Sequence, residues 1–473
     1  MAHIIFIQEL EFEFLGVMYI SAALKKVGHT TGLIFLNRTN EWIDEIKQKK
    51  PDVVAASVMT GLHKRIFSAF KLIKQNFPDI ITVAGGPHPT FFPDCINNFE
   101  IDAVCRGEGE VAFPEFITQL NLDSEKPVNN FIYKTKTGKK IDFSKVNGHI
   151  SDLDSLPFAD REIYYEHKFM LDIPTRAIIS SRGCPFKCGY CFNEKYTEIF
   201  GKKGYCRLRS QNLIIKEMKE IVSKYPTESF HFMDDTFTMN KKWLFEFLEL
   251  YRKEIRIPFV CLGTADKIDD EIVENLKHSG CHSIFFGIEC GNENYRINIL
   301  KKPITNKQII KAAAILKQKK LPFKAFNIVG FPGETLKQSF ETLLLNIEIK
   351  TDFPWCALFA PYPGTMLADY AVQLGELDRN YSPDDIPQSF HQNSILKNGD
   401  IKQIENLHKF FQTAVLFPFL LPVIKLLIKV KNNFLFNYWF GLVYFLVYFR
   451  AEKRSFFKTF IFGLKNMQFL VKK

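Results

Sequence analysis

The sequence predicts an α/β protein in three parts: a doubly wound parallel sheet, a partial (β/α)6 barrel and a mainly helical C-terminal region. Two separate stretches alternate short apolar runs with helix-period segments, the rhythm of parallel strands joined by crossover helices. A polar gap divides them. Beyond residue 370 the rhythm stops and apolar, aromatic runs take over.

In the first part, residues 1–130, strands are expected at 3–7, 31–36, 53–58, 80–84 and 103–106, with helices at 17–27, 41–49, 62–76 and 111–120. Each of the last three strands runs into a loop of small or polar residues. These are 57–61 with Ser57, Thr60 and Gly61, then Gly85-Gly86-Pro87-His88-Pro89-Thr90, then Gly107-Glu108-Gly109-Glu110. In open α/β sheets the ligand crevice lies at the carboxyl ends of the strands, so these loops form a candidate binding edge. Residues 131–174 are polar and read as a linker. The second part, 175–370, carries strands at 177–180, 229–233, 259–263, 283–287, 324–329 and 355–360. Barrels of this kind place their chemistry at the C-terminal strand ends.

The third part, 371–473, differs in charge. The whole chain of 473 residues has 62 Lys and Arg against 52 Asp and Glu, a net +10. From Ile401 onward there are 12 basic and two acidic residues, so the other 400 residues balance at zero. A neutral body with one basic tail argues against a general nucleic-acid surface. The tail's apolar stretches, 414–424 and 434–449, hold 11 and 16 residues. Both fall short of the roughly 20 that span a bilayer, which favours interfacial or core-packed helices. At 46% hydrophobic and 24% charged, the composition excludes wholesale disorder and a polytopic membrane protein. The start lacks a basic n-region, and ten cysteines are too sparse for a disulfide scaffold, so a reducing, cytoplasmic setting is expected.

Three of those cysteines cluster. In Gly183-Cys184-Pro185-Phe186-Lys187-Cys188-Gly189-Tyr190-Cys191 the spacing C-x3-C-x2-C follows a predicted strand and brings three thiolates onto one loop. Three soft thiolates suit an iron–sulfur cluster or zinc. Structural zinc wants a fourth ligand, and Cys206 is the only other cysteine near. A cubane on three cysteines leaves one iron open to a small molecule. Asp234-Asp235 sits at the second barrel strand's exit, where Asp235 or Thr236 also reads as a helix cap. Glu289 ends Gly287-Ile288-Glu289-Cys290-Gly291, and Gly330-Phe331-Pro332-Gly333-Glu334-Thr335 follows the next strand.

The C-x3-C-x-aromatic-C motif, with Tyr190 as the aromatic, resembles that of the radical S-adenosylmethionine (SAM) family. The strand-end motifs at 234–235, 287–291 and 330–333 and the ending Pro361-Tyr362-Pro363-Gly364-Thr365 resemble the same family. The loops at 85–90 and 107–110, with 16–24 and Gly28-His29, resemble the Rossmann-like cobalamin domain of its B12-dependent branch; Asp152 to Phe158 resembles that branch's linker. The resemblance covers residues 1–370 in order.

It implies a [4Fe–4S] cluster on Cys184, Cys188 and Cys191, whose open iron holds SAM and cleaves it to a 5′-deoxyadenosyl radical. It implies SAM contacts at Tyr190, Asp234, Asp235, Glu289, Gly330, Pro332 and Gly333. Cobalamin contacts fall at Ser57, Thr60, Gly61, Gly85, Gly86, His88, Thr90 and Gly107 to Glu110. Cys290 stands where the family usually has Ser. The Asp-x-His-x-x-Gly motif that supplies a cobalt-ligating histidine is absent, so cobalamin is expected without a protein histidine on cobalt. The implied reaction is methyl transfer to an unactivated carbon. The alternatives are a cobalamin-dependent cyclase or oxidative enzyme without net methyl transfer, and a non-catalytic iron–sulfur protein. A methylthiotransferase is disfavoured, since only Cys95 and Cys105 precede Cys184. Implied partners are a small-molecule substrate and an electron donor such as flavodoxin or ferredoxin. The tail's lysines and rings suggest peripheral contact with the inner membrane face and an apolar, lipid-like substrate; packing on the barrel is the competing reading.

Overall fold

The computed structural model describes residues 1–38, 41–121, 126–135, 137–142 and 148–452. It falls into two compact units: residues 1–183 with 196–228, and 184–195 with the chain from 229 onward.

In the first unit, β1 (His3–Gln8), β2 (Thr30–Phe35), β3 (Val53–Ser57), β4 (Ile81–Gly85) and β5 (Ala103–Cys105) pair in parallel in the order β2-β1-β3-β4-β5. The order reverses between β1 and β3, the switch point at which such sheets open a crevice. Alternate side chains feed two cores: Ile4 and Phe6 pack on one face with Phe113 and Phe116, and Ile5 and Ile7 on the other with Phe70 and Ile73.

The stretch expected to be linker holds a hairpin, β6 (Phe131–Lys134) and β7 (Lys140–Asp142), which extends the sheet antiparallel to seven strands. Its apolar run, Phe131-Ile132-Tyr133, is buried but only three residues long, too short to show a period amid polar neighbours. The sheet edge supplies the register that the local sequence lacks.

Two buried carboxylates, Glu13 and Glu217, are held by buried arginines. Arg161 lies 3.7 Å from Glu13 and 3.6 Å from Glu217, and Arg209 is 2.7 Å from Glu217. Arg176, fully buried, donates to the carbonyls of Ile173, Leu171 and Pro226 and stacks on Tyr165. The unit also contains β8 (Thr175–Ile178), two residues earlier than expected, and the short pair β9 (Ser181–Arg182) and β10 (Arg207–Leu208).

In the second unit, β11 (Ser229–Phe232), β12 (Phe259–Gly263), β13 (Cys281–Glu289), β14 (Phe323–Val329) and β15 (Phe353–Leu358) pair in parallel in chain order. Helices between them start at side-chain caps on Asn240, Asp269, Thr305 and Thr335, and the helix after β15 at Thr365. Thr335 and Gln338 form a reciprocal capping box, which fixes where the loop from Gly330 ends.

The C-terminal region packs on this barrel. Helix Ile401–Leu416 buries Ile404, Leu407, Phe411 and Ala414 against Val329, Leu343 and Leu358. Pro418 breaks the run expected at 414–424, and a separate helix covers Leu421–Leu427. The run at 434–449, too short to span a bilayer when its apolar residues alone are counted, lies in a longer helix. That helix extends over Phe434–Glu452, 19 residues, long and apolar enough by length and composition to cross. Asn437 and Gly441 do not interrupt it, and Arg450 to Glu452 add most of a turn beyond the apolar run. The rest of the tail expectation, 453–473, lies outside the described residues.

Candidate functional site

The cysteine loop of the second unit is strapped in place by its own backbone. Gly189 donates its N–H to Leu300 (2.9 Å) and accepts from Leu367 (3.0 Å), and a Cβ there would run into Met366. Cys191 N–H donates to Cys188 O at 2.9 Å, turning the loop so that both thiols share one side. Cys184, Cys188 and Cys191 line one cavity of about 230 Å³ with Tyr190, Asn193, Asp235, Thr236, Thr264, Glu289 and Lys302. Phe186, Leu262, Phe285, Phe286 and Phe326 complete its wall.

Burial pushes the Cys184 thiol up to about 11 and the Cys191 thiol to about 12, and the charges of Cys188 and Asp235 push both the same way. Three thiolates and a carboxylate so placed repel one another until cationic metal neutralises them. Among the described residues no three His, Cys, Asp or Glu side chains close on a single metal ion. The donor set is three sulfurs around a shared space, which fits an iron–sulfur cluster with one open iron. The Thr264 hydroxyl, buried and without a hydrogen-bond partner among the described residues, is a further group left for a ligand.

Glu289 reaches the cavity through a backbone irregularity. The β13/β14 register shifts between Gly287 and Glu289, and Glu289 takes φ +65°, rare for a side-chain-bearing residue. The bulge re-aims the carboxylate at the cavity, where it meets Lys302 Nζ at 2.9 Å. A Cβ on Gly287 would overlap both groups, which explains the glycine. Asp235 also faces the cavity, held by the Asn193 side chain, with its carboxyl raised by burial. Asp234 is fully buried and does not line the cavity. Cys290 is buried in the core with Tyr295 and Phe331.

Gly330, Pro332 and Gly333 lie outside the cavity wall, in a loop organised by Glu334. Gly330 and Gly333 adopt φ +76° and +70°. Glu334 accepts from the backbone N–H groups of Gly330 (2.6 Å) and Phe331 (3.0 Å), and Tyr295 holds the Pro332 carbonyl at 2.5 Å. Burial pushes the Glu334 carboxyl up to about 7, outweighing those backbone donors. A raised carboxyl is protonated in the native state before it is in the unfolded chain. Its stabilising contribution is therefore complete below the ordinary value of 4.5 and lost as pH rises through about 7. The Glu334→Gln protein should lose less melting temperature than wild type between pH 5 and pH 8, by an amount equivalent to on the order of 1–3 kcal/mol. Parallel pH profiles would contradict this.

In the first unit the three predicted loops converge at the carboxyl edge of the sheet. Val58 N–H donates to Gly85 O and His88 N–H to Val58 O. Gly86, at φ +86°, leaves no room for a Cβ beside Ser57. Thr90 accepts from Gly107 N–H and donates to Gly86 O. His88 is buried, stacked 4.2 Å from the His63 ring, with Nδ1 3.1 Å from the Thr60 hydroxyl. Gly61 N–H donates to His63 Nδ1 at 3.2 Å. Glu108 binds Arg207, Arg182 and the Ile150 N–H, and Glu110 binds Arg182 at 2.5 Å. Although burial opposes it, the two arginines hold Glu108 below the usual carboxylate range. Gly109 packs beside Ile20 and Cys105, and Gly107 beside Phe200.

Sequence reasoning did not single out Lys302, Asn193 or Thr264. Lys302 belongs to Lys301-Lys302-Pro303, which reads as a solvated basic patch, and its partner is 13 residues away. The signal in the sequence was indirect: a carboxylate committed to a buried strand end needs a cation.

The Radical SAM superfamily model matches residues 178–345, and the B12 binding domain model matches residues 9–117. An uncharacterized methyltransferase of Pyrococcus horikoshii is 30% identical over 332 residues, covering 69% of this chain and 71% of the relative. The anaerobic magnesium-protoporphyrin IX monomethyl ester cyclase of Rubrivivax gelatinosus is 25% identical over 76% of this chain and 66% of its own length. Among solved structures, the cobalamin-dependent SAM radical enzyme OxsB with aqua-cobalamin bound superposes with TM-score 0.67 at 18% identity, covering 98% of this chain and 75% of that one. The radical SAM methyltransferase TsrM from Kitasatospora setae gives 0.64 at 15%, covering 80% and 77%.

Proposed function

The chain belongs to the cobalamin-binding branch of the radical S-adenosylmethionine superfamily and is a radical SAM enzyme, and on that premise we propose that it transfers a methyl group to an unactivated carbon of an apolar small molecule. The observation that carries this reading is the cavity at the strand ends, where three thiols and the Glu289–Lys302 pair meet a wall of four phenylalanines. When bound, a [4Fe–4S] cluster, SAM and cobalamin supply the 5′-deoxyadenosyl radical and the methyl group.

In this reading Cys184, Cys188 and Cys191 hold the cluster. Glu289 accepts hydrogen bonds from SAM's ammonium and ribose hydroxyls, and Asp235 and Tyr190 complete the polar side of the cavity. Gly330, Pro332 and Gly333 present backbone to the adenosine, with Glu334 fixing their conformation. Asp234 supports the strand exit from behind. Phe186, Phe285, Phe286 and Phe326 exclude water and seat the apolar substrate. Cobalamin is held by the loops with Ser57, Thr60, Gly61, Gly85, Gly86, Thr90, Gly107 and Gly109. His88 would support the loop through its packing on His63 and its contact with Thr60, and Glu108 and Glu110 would shape the last loop through Arg182 and Arg207.

The enzyme takes a small-molecule substrate and an external reductant, for which flavodoxin or ferredoxin has the required low potential. In this reading it works in the cytoplasm. A second reading, ring formation without net methyl transfer, draws support from the likeness to the cyclase of Rubrivivax gelatinosus. Product analysis separates the two: protein reconstituted anaerobically with cluster and cobalamin should turn SAM into 5′-deoxyadenosine together with S-adenosylhomocysteine. 5′-Deoxyadenosine without S-adenosylhomocysteine would favour ring formation.

A further inference from the structure

Among the described residues, eleven of the twenty-four exposed large apolar side chains fall between 417 and 446. Phe419 is 75% exposed, Leu426 66%, Phe434 76% and Tyr438 62%. They lie on the helices Leu421–Leu427 and Phe434–Glu452 and on the turn before the first of them. Single exposed apolar residues need no explanation, but a contiguous patch marks a surface built to be covered.

The long helix is apolar all round, yet among the described residues only one of its faces is covered. Phe436, Phe440, Val443 and Val447 recur at helical spacing and are buried. Phe436 packs edge-on to Phe410, and Phe440 lies 4.8 Å from the His408 ring. Two hydrogen bonds pin the same helix, one to the barrel and one to the helix Ile401–Leu416: Trp355 Nε1–H donates to the Tyr444 hydroxyl at 3.2 Å, and Trp439 Nε1–H to the Thr413 hydroxyl at 2.9 Å. A helix so fastened cannot cross a bilayer without leaving its seat, although its length would allow it. It can lie in the plane of an interface with its outer face down.

Charge selects the occupant. Lys425, Lys429 and Lys431 are exposed among the apolar residues, and no acidic residue occurs from 406 to 451. A second copy on this face would set lysines against lysines across a two-fold axis. An anionic bilayer takes both features: lysines reach headgroups while Tyr438 and Trp439 rest at the interface and Phe419, Leu426 and Phe434 enter the acyl boundary. We infer that this face docks the protein in plane on an anionic lipid bilayer. Docking of this kind is separate from the catalytic reading and does not need turnover.

The test is flotation of the full-length reconstituted protein with phosphatidylcholine vesicles, with and without phosphatidylglycerol. Wild type should float with the anionic vesicles at low salt and be released by high salt or alkaline carbonate. Phe419→Asp/Leu426→Asp should reduce partitioning at least tenfold. Lys425→Ser/Lys429→Ser/Lys431→Ser should reduce it by roughly two orders of magnitude at low salt and remove most of the salt dependence. These side chains are exposed, so circular dichroism and 5′-deoxyadenosine formation should be unchanged and show that the variants are folded. Wild type that ignores anionic vesicles, or variants that float as well as wild type, would overturn the inference. So would retention through carbonate, the mark of a spanning helix, or a solution dimer that Phe419→Asp/Leu426→Asp dissolves.

Discussion

Protein carrying Cys184→Ala, Cys188→Ala and Cys191→Ala together, reconstituted anaerobically with iron and sulfide, should show no iron–sulfur absorbance and make no 5′-deoxyadenosine. Cys206→Ala should keep both. The difference follows from placement. The three thiols share one cavity and are all raised by burial, whereas Cys206 is exposed and does not line that cavity. Cys261, Cys281, Cys290 and Cys356 are buried and line no part of the cavity, so none can replace a lost ligand. The loss should be complete, since three sulfurs are the fewest that leave a single open iron. A Cys206 variant that lost its cluster would mean a fourth cysteine ligand and no open site for SAM.

The second large effect concerns Glu289 and Lys302. Their side chains are 11% and 9% exposed and 2.9 Å apart, so removing one leaves the other charged in a poorly solvated cavity. Lys302→Met should lower stability by about 3 kcal/mol, within the range for breaking a buried pair, and should lower the melting temperature by several degrees. Glu289→Gln should retain the cluster absorbance, because Glu289 is not one of the three proposed cluster ligands, yet cut 5′-deoxyadenosine formation at least a hundredfold. Combining the two should restore most of the lost stability and none of the activity, since the pair then leaves no uncompensated charge. A double variant as unstable as the sum of the two singles would show that the residues act independently. Glu289→Gln with wild-type turnover would remove Glu289 from the site.

Much of this was legible in the sequence. The six strands expected at 175–370 and the five strands of the first sheet are each buried enough to show as apolar runs, and the observed ends lie within a few residues of the expected ones. Cys184, Cys188 and Cys191, which line one cavity, were legible because their spacing is written into a single run of contiguous residues. Four features were not, or only in part. The hairpin β6–β7 is specified by pairing with β5, a partner remote in sequence. Lys302 becomes functional only when the bulge at Gly287 turns Glu289 toward it. The helix Phe434–Glu452 reads as too short when apolar residues alone are counted, because backbone hydrogen bonding carries it past Phe449 into Arg450. The roles of Glu108 and Glu110 were visible only as loop residues, while their arginine partners lie 72 to 99 residues onward.

Whether this chain joins radical SAM cleavage to methyl transfer through cobalamin is decided by following a deuterated methyl group. Reconstituted protein is loaded with cobalamin, reduced, and given SAM labelled with deuterium in its methyl group, and the cobalamin is then analysed by mass spectrometry. The expected product is methylcobalamin carrying all three deuterons, with S-adenosylhomocysteine in equal amount and 5′-deoxyadenosine formed alongside. Unlabelled cobalamin, in protein that still releases 5′-deoxyadenosine, would exclude methyl transfer by this route.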